Sequence, residues 1–410
     1  MIVAGIPLSG QAKAVEPACL NRADFARPFL LQVNYEEVDE TGGRSFTTSR
    51  SRIVRFEPSD DVLLMFDASE QTARSEQSRL LARIPIQSTN SETVDLDLNA
   101  AFDMIDREED RTGEDYYGRA DKETYLSFPL LDRQALSVSC HGELLVFDQS
   151  ARMEDGTQIV AHYYLSRYRP DPDFRPLEMK NLDRFGFFET YPRERWGRSV
   201  LYAMKFNANE PIVFALSSAI PERYRASVRD GVLYWNRALG KPLIRVIDAP
   251  DGARAPNPDY NIVEWVGDGD FGSTSYIQSD PLTGQILHAH VFVIRETMMD
   301  GDFEQQTDHL RYIVAHEIGH ALGLRHNFAM GSRATVMNYF PRPEVLEIGA
   351  EIRAEAPALP YDRQVMRHAY LGEALDVDAL PPFCTDGQRG CSPFSSLPPI
   401  ETIGIKGDAE

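Results

Sequence analysis

Three histidines and a glutamate fall within eleven residues: His316-Glu317-Ile318-Gly319-His320-Ala321-Leu322-Gly323-Leu324-Arg325-His326. Residues four apart share one face of a helix, so a helix here aims the His316 and His320 imidazoles at a single point. Imidazole nitrogen is a preferred donor to zinc, at roughly 2.0–2.1 Å. Glu317, one step round the helix, stands beside such an ion, where it can hold and deprotonate a metal-bound water. His326 can reach the same ion only if the helix stops and the chain turns back. Gly323 provides for this, because glycine adopts the positive φ that ends a helix with little strain. Three protein donors with a fourth position free describe a catalytic zinc site rather than a structural one.

The plainer reading is a solvated helix face with incidental histidines. The segment argues against it, since Ile313, Val314, Ala315, Ile318, Ala321, Leu322 and Leu324 make it mostly apolar. Two histidines and a glutamate on a buried helix are costly unless they are paired or ligated.

The whole eleven-residue pattern resembles that of the metzincin superfamily of zinc peptidases. Its second mark is a tight turn with a methionine beneath the metal. Thr335-Val336-Met337-Asn338-Tyr339 fits that turn, with Met337 as the floor. Tyr339 resembles the tyrosine that approaches the zinc in some branches; a packed aromatic under the site is the other reading. Over residues 184–372 the chain is similar to a group of bacterial zinc-dependent metalloproteases with a β-rich N-terminal region. The matching residues are Phe185-Gly186-Phe187-Phe188, Tyr234-Trp235-Asn236-Arg237-Ala238, residues 262–266, Asp280-Pro281 with Thr283-Gly284, residues 312–327, and Pro360-Tyr361-Asp362. Many members of that group carry a large further C-terminal region, whereas this sequence runs to Glu410. The better-known metzincin branches have Ser, Glu, Asp or Pro after the third histidine. Asn327 stands there, so none of those branches is assigned.

The resemblance implies an α+β metzincin-like catalytic domain, with a twisted, mostly parallel sheet, an antiparallel edge strand and an active-site helix. It implies peptide-bond hydrolysis on a protein or peptide substrate, with one catalytic zinc. Glu317 would act as base and then acid, and Tyr339 would help at the oxyanion. Substrate would dock by strand addition along residues 273–278, with residues 340–343 walling the pocket beyond the cut. Two other readings stay open: a zinc-binding protein without catalysis, and a hydrolase of a non-peptide amide such as a cell-wall crosslink. The intact Glu317 speaks against the first, because structural zinc needs no base.

A scaffold must position these groups. Up to about residue 190 the pattern is β-rich, with alternating or short apolar runs at 29–38, 52–56, 62–67, 93–98, 136–148 and 158–168. Residues 69–82 and 99–111 read as polar connections, and Pro170-Asp171-Pro172-Asp173 as a turn. Beyond about residue 205, strands are predicted at 211–216, 243–248, 261–266, 273–278 and 285–294. The last two are joined by the turn Asp280-Pro281-Leu282-Thr283-Gly284. Helices are predicted at 221–239, with Val228, Val232 and Trp235 on one stripe, and at 307–324 and 361–371. The expected organisation is a signal-peptide remnant or disordered tail (1–20), a β-rich domain (21–190), the metzincin-like domain (191–375) and an extension with a Cys384/Cys391 loop (376–410). The β-rich domain has three readings: a substrate exosite, an inhibitory pro-segment, or support for the fold.

Composition narrows the partners. The formal net charge of −21 repels phosphate backbones and anionic membranes, which disfavours a nucleic-acid or lipid-surface role. No run approaches the ~20 apolar residues that span a bilayer. Four cysteines permit two disulfides, Cys384–Cys391 as a local clip and Cys19–Cys140 as a staple, against four free thiols in a cytoplasmic protein. Disulfides fit an exported, periplasmic or secreted, enzyme. Gly267-Asp268-Gly269-Asp270-Phe271-Gly272 matches a dinucleotide fingerprint, but no helix opens there and its acids would repel pyrophosphate. It is a plain loop or, through its oxygens, a Ca²⁺ site. His288 and His290 share one side of a strand, as hydrogen-bonded histidines or a structural metal pair. His309 reads as a neighbour of the site or as solvated, and Arg193, Arg195 and Arg198 as surface.

Overall fold

Alternation of apolar and polar side chains builds the first half of the chain into antiparallel sheet. The computed structural model describes residues 22–38, 44–69, 79–89, 94–108, 125–141, 143–179, 186–190, 193–195, 198–266, 272–294, 301–328, 334–376, 380 and 383–385. Strands β1 (Phe29–Val38), β2 (Arg44–Ser59), β3 (Val62–Asp67), β4 (Leu80–Thr89) and β5 (Val94–Leu96) are followed by β6 (Met104–Glu108) and β7 (Tyr125–Pro129). Then come β8 (Leu131–His141), β9 (Leu144–Arg152) and β10 (Gln158–Arg167). Eight of them form one sheet in the order β5-β4-β3-β2-β1-β10-β9-β8, while β6 and β7 pair separately. In β9 every second residue is buried, as a strand with one face on a core requires. That core gathers Phe29, Leu31, Val54, Phe56, Met65 and Leu145. Phe102, Phe147 and Tyr163 stack within it.

The structure corrects three expectations in this half. Residues 80–82, the end of the expected connection 69–82, open the strand β4, and residues 104–108, inside the expected connection 99–111, form β6. Ala82 and Ile84 alternate into the core, and β6 finds its partner only in β7, across a long sequence gap. The run at 136–148 is two strands, β8 and β9, paired antiparallel.

Short strands β11 (Leu177–Glu178), β12 (Arg193–Arg195), β13 (Arg198–Val200) and β14 (Tyr202–Ala203) make two small ribbons, β11 with β14 and β12 with β13. Next come β15 (Ile212–Leu216), α1 (Glu222–Leu239), β16 (Ile244–Asp248), β17 (Asn261–Val266), β18 (Thr274–Ser279) and β19 (Ile286–Ile294). The helices α2 (Phe303–Ala321), α3 (Arg342–Arg353) and α4 (Pro360–Leu371) complete the described elements. The second sheet runs β16-β15-β17-β19-β18. Its pairs are parallel except the edge strand β18, which is antiparallel to β19. Val291 and Val293 of β19 share a core with Trp235 of α1 and with Leu310, Val314 and Ile318 of α2. The Trp235 indole donates to the Ala315 carbonyl at 2.8 Å, which seats α1 on α2 one residue before His316. The class is α+β, as expected.

Helix α2 starts at 303 rather than 307, because the Asp302 side chain caps it by accepting from the Gln305 amide at 2.9 Å. It ends at Ala321 rather than 324. Helix α3 was not anticipated, and it takes Pro343 into its first turn, where proline is tolerated. Among the described residues no helix is long and apolar enough to cross a membrane. Cys140 and Cys384 are both disulfide-bonded; Cys19 and Cys391, the expected partners, lie outside the described residues, as does the stretch 1–20.

The first sheet sits on the edge of the second. Phe46 of β2 stacks on Phe292 of β19 at 4.2 Å between ring centres, and Tyr276 meets Phe292 edge-on. The buried Gln278 amide donates to the Asn34 side chain at 3.0 Å. The Tyr168 hydroxyl donates to the Asp280 carboxylate at 3.1 Å. Exposing such a surface leaves a buried amide without its partner and an aromatic face in water, which favours the supporting role for the β-rich half. Deleting residues 1–176 should therefore yield insoluble protein. Phe46→Ala in the full chain should cost about 1–3 kcal/mol of unfolding free energy in urea. A soluble truncation that melts at the full chain's temperature would show that the second half stands alone.

Candidate metal centre

The end of α2 sets the geometry of the site. The Leu324 amide reaches back to the Gly319 carbonyl at 3.0 Å and the Gly323 amide to the His320 carbonyl at 2.8 Å, the paired bonds of a Schellman turn. Gly323 takes φ +99°. A Cβ there would also stand 2.0 Å from the Met204 carbonyl oxygen, so both backbone conformation and space require glycine. After the turn the chain runs along residues 186–190. Phe187 bridges Leu324, the Phe188 amide donates to the Gly323 carbonyl at 2.7 Å, and the Arg325 amide to the Gly186 carbonyl at 3.2 Å. The Arg325 guanidinium pairs with Glu189 at 3.1 Å. The Tyr370 hydroxyl, from α4, donates to the Leu322 carbonyl at 2.8 Å. These bonds bring His326 back to the helix that carries the other two histidines.

The three Nε2 atoms converge. They lie 3.2 Å apart for His316–His326, 3.2 Å for His316–His320 and 3.0 Å for His320–His326. Donors about 2.0–2.1 Å from one tetrahedral zinc stand ~3.3 Å from each other, so the set fits that ion closely. Nδ1 of His316 faces the Val336 carbonyl at 2.7 Å, and Nδ1 of His320 faces the Leu324 carbonyl at 2.8 Å. A carbonyl only accepts, so both Nδ1 atoms carry the proton and both Nε2 lone pairs point at the common centre. Burial, then the neighbouring His326 and His316, hold His320 well below its ordinary pKa, in the neutral form that ligates. Among the described residues this is the only group of three or more potential ligands so gathered.

Glu317 is buried. Burial pushes its carboxyl well above the ordinary range, opposed by a hydrogen bond with the Ser275 side chain of the edge strand. Met337 is fully buried. A Cβ on Gly319 would meet its sulfur at 2.2 Å and Trp235 at 2.7 Å, so a small residue between the histidines lets the methionine turn pack against α2. The Asn327 amide donates to the Met337 carbonyl at 2.8 Å, tying the third-ligand loop to that turn. Tyr339 is 42% exposed, and its ring lies 5.3 Å from that of His316 and 4.7 Å from that of His326. It stands beside two of the ligands with part of its surface in solvent.

Two supports escaped the sequence reading. Asp362 is completely buried. Its carboxylate accepts from the Tyr234 hydroxyl at 2.6 Å, from the Val336 amide at 3.0 Å and from the Thr335 hydroxyl. Through Val336 it fixes the carbonyl that orients His316. Tyr312, one helical turn before His316, donates its hydroxyl to the Asn338 carbonyl. Pro360-Tyr361-Asp362 stood out only as a matching motif, and nothing local to it pointed toward the histidines. Other candidates stay apart from the centre. His290 accepts the Asn257 amide at 3.2 Å, and burial holds His288 at about 4 and His290 at about 3. His309 is half-buried on α2, two turns before His316. Arg193, Arg195 and Arg198 lie on β12 and β13. Residues 267–271, considered for Ca²⁺, lie outside the described residues.

Residues 299–341 match the family model described as Met-zincin. The match takes in α2, the three histidines and the Met337 turn. Together with the histidine cluster it supports a metzincin-type zinc metallopeptidase at family level. No curated protein matches the chain, and no solved structure does.

Gly323→Ala must either abandon positive φ or push against Met204, and its bound zinc should fall well below one ion per chain by metal analysis. A full complement of zinc would show that the turn tolerates a side chain. Burial lifts Asp362 to about 6, against hydrogen bonds from Thr335, Tyr234 and Val336 that lower it. The folded state then binds more protons than the unfolded one between about pH 4 and pH 6, so this group's contribution to stability falls as pH rises through that window. Asp362→Asn removes the titration. Its unfolding free energy relative to wild type should rise across the same window by about 1–3 kcal/mol; a pH-independent difference would contradict it.

Proposed function

We propose that this protein is a zinc-dependent endopeptidase whose ion is held by His316, His320 and His326 and whose proton-transfer group is Glu317. The observation that carries this reading is the convergence of three Nε2 atoms next to a buried glutamate. Zinc bound there supplies Lewis-acid activation of water and of the scissile carbonyl.

The chain's own groups do the rest. Glu317 takes the proton of the attacking water and later delivers it to the leaving amine. Burial suits it to both steps, since a desolvated carboxylate gains a proton readily, and the Ser275 contact holds it in place. The Tyr339 hydroxyl, on a ring seated against His316 and His326, donates to the oxygen that gains negative charge. An extended peptide adds along residues 274–277 of β18, the part of the edge strand that stays half-buried rather than buried, so that Ser275 ties the docking strand to the proton-transfer group. Phe340, packed on Tyr312, and the start of α3 wall the pocket beyond the cut. Met337 supports the ligands from below. Disulfide-bonded Cys140 and Cys384 support an exported enzyme, periplasmic or secreted.

Glu317→Ala should lose cleavage of an unbiased peptide library by at least about 10²–10⁴-fold while keeping one zinc per chain. Cleavage at the wild-type rate would remove Glu317 from the mechanism. Loss of zinc along with activity would make Glu317 a structural residue instead. Tyr339→Phe should lower kcat by about 10²-fold with KM nearly unchanged. A library left intact by the zinc-loaded wild type, alongside chelator-sensitive hydrolysis of a crosslinked cell-wall amide, would move the substrate to the non-peptide class.

A further inference from the structure

His316 and His320 are held by the hydrogen-bond ladder of α2, but His326 lies beyond the helix and needs another anchor. Its neighbours show where that anchor is. On one side, the Arg325 amide bonds the Gly186 carbonyl. On the other, the Phe328 ring stacks on the His326 imidazole at 5.2 Å between centres and 25° between planes. The Phe328 amide donates to the Cys384 carbonyl at 2.6 Å, and the Cys384 amide faces the Asn327 side-chain oxygen at 3.4 Å. The tip of the Phe383 ring sits against Gly186, so close that a Cβ there would stand 1.8 Å from it. Residues 383–385 thus touch both flanks of the third-ligand loop at once. Asn327, Phe328, Phe383 and Thr385 are all buried. Helix α4 ends at Leu371, so these residues are not carried in on a helix, and Cys384 is covalently tethered in a disulfide.

We propose that residues 383–385, constrained by the Cys384 disulfide, are a positioning clamp that holds His326 in ligating geometry. The inference rests on the zinc reading above and assigns Cys384 and Phe383 no contact with substrate. A backbone bond buried under a stacked ring resists local opening, and a disulfide narrows the conformations open to Cys384 when that bond breaks. Without the disulfide, the loop that carries His326 opens more often, while the two helix-borne histidines keep their places. The ion then exchanges faster although the fold survives. Loss of outer-shell support of this kind weakens metal sites by roughly 10–100-fold.

The test uses the full-length chain as Cys384→Ser and, separately, Phe383→Ala, each loaded with zinc and checked for native far-UV circular dichroism. Zinc is chased into a chromophoric chelator, and cobalt(II) is loaded in its place to report ligand number by visible absorption. The expected result is one zinc per chain in the wild type, a chase at least about 10-fold faster in Cys384→Ser, and a weakened cobalt band. Wild-type chase rates and spectra in the folded Cys384→Ser protein would overturn the clamp. If Cys384→Ser does not fold, Phe383→Ala decides: a faster chase upholds the clamp, and an unchanged one overturns it. A wild-type chain that takes up no zinc defeats the metal reading itself, a failure that metal analysis separates from unchanged exchange.

Discussion

The reversal of the chain at Gly323 is the constraint around which the second half is built. Two ligands a helical turn apart define a line; the third must come from off the helix, within five residues of its end. Only a left-handed residue closes α2 that abruptly, and the backbone of Met204 leaves no room for a side chain there. Once the chain has turned, its strand-like exit needs partners for exposed amides and carbonyls. Residues 186–190 supply them on one side, and Met337 and Cys384 beyond it. The same exit delivers the Leu324 carbonyl to Nδ1 of His320, so the turn that admits the third ligand also sets the tautomer of the second.

Buried polar groups tie the other layers to this point. A carboxylate out of water is tolerable only when its lone pairs are used. Asp362 uses its own on α1 and on the methionine turn, and thereby locks α4 against both. Glu317 reaches out of the helix layer to the edge strand through Ser275. Further along that strand, Gln278 is buried against Asn34 of the first sheet. A continuous set of contacts therefore runs from the β-rich half through β18 to the helix that bears the histidines, and support for the site reaches well beyond the eleven residues that carry its chemistry.

The sequence by itself determined the parts of the protein that depend on neighbours in the chain. His316, His320 and Glu317 follow from the pitch of a helix and Gly323 from the chemistry of helix ends, while Met337 and Tyr339 stood out only through resemblance to a metzincin turn. Strands such as 29–38 and 261–266 were legible because their runs of apolar residues mark them out locally. Tertiary structure alone decided what arrives from afar. Asp362 under the methionine turn, Gly186 beside Arg325, Cys384 against Phe328 and Phe46 on Phe292 join residues separated by tens to hundreds of positions, and no periodicity encodes such meetings. The strands at 80–89 and 104–108 were missed for the same reason, since a short half-polar segment becomes a strand only when another edge offers it hydrogen bonds. Local geometry can specify which atoms would bind a metal. Holding them within 3.2 Å of one another takes a buried framework whose contacts exist only in the folded chain.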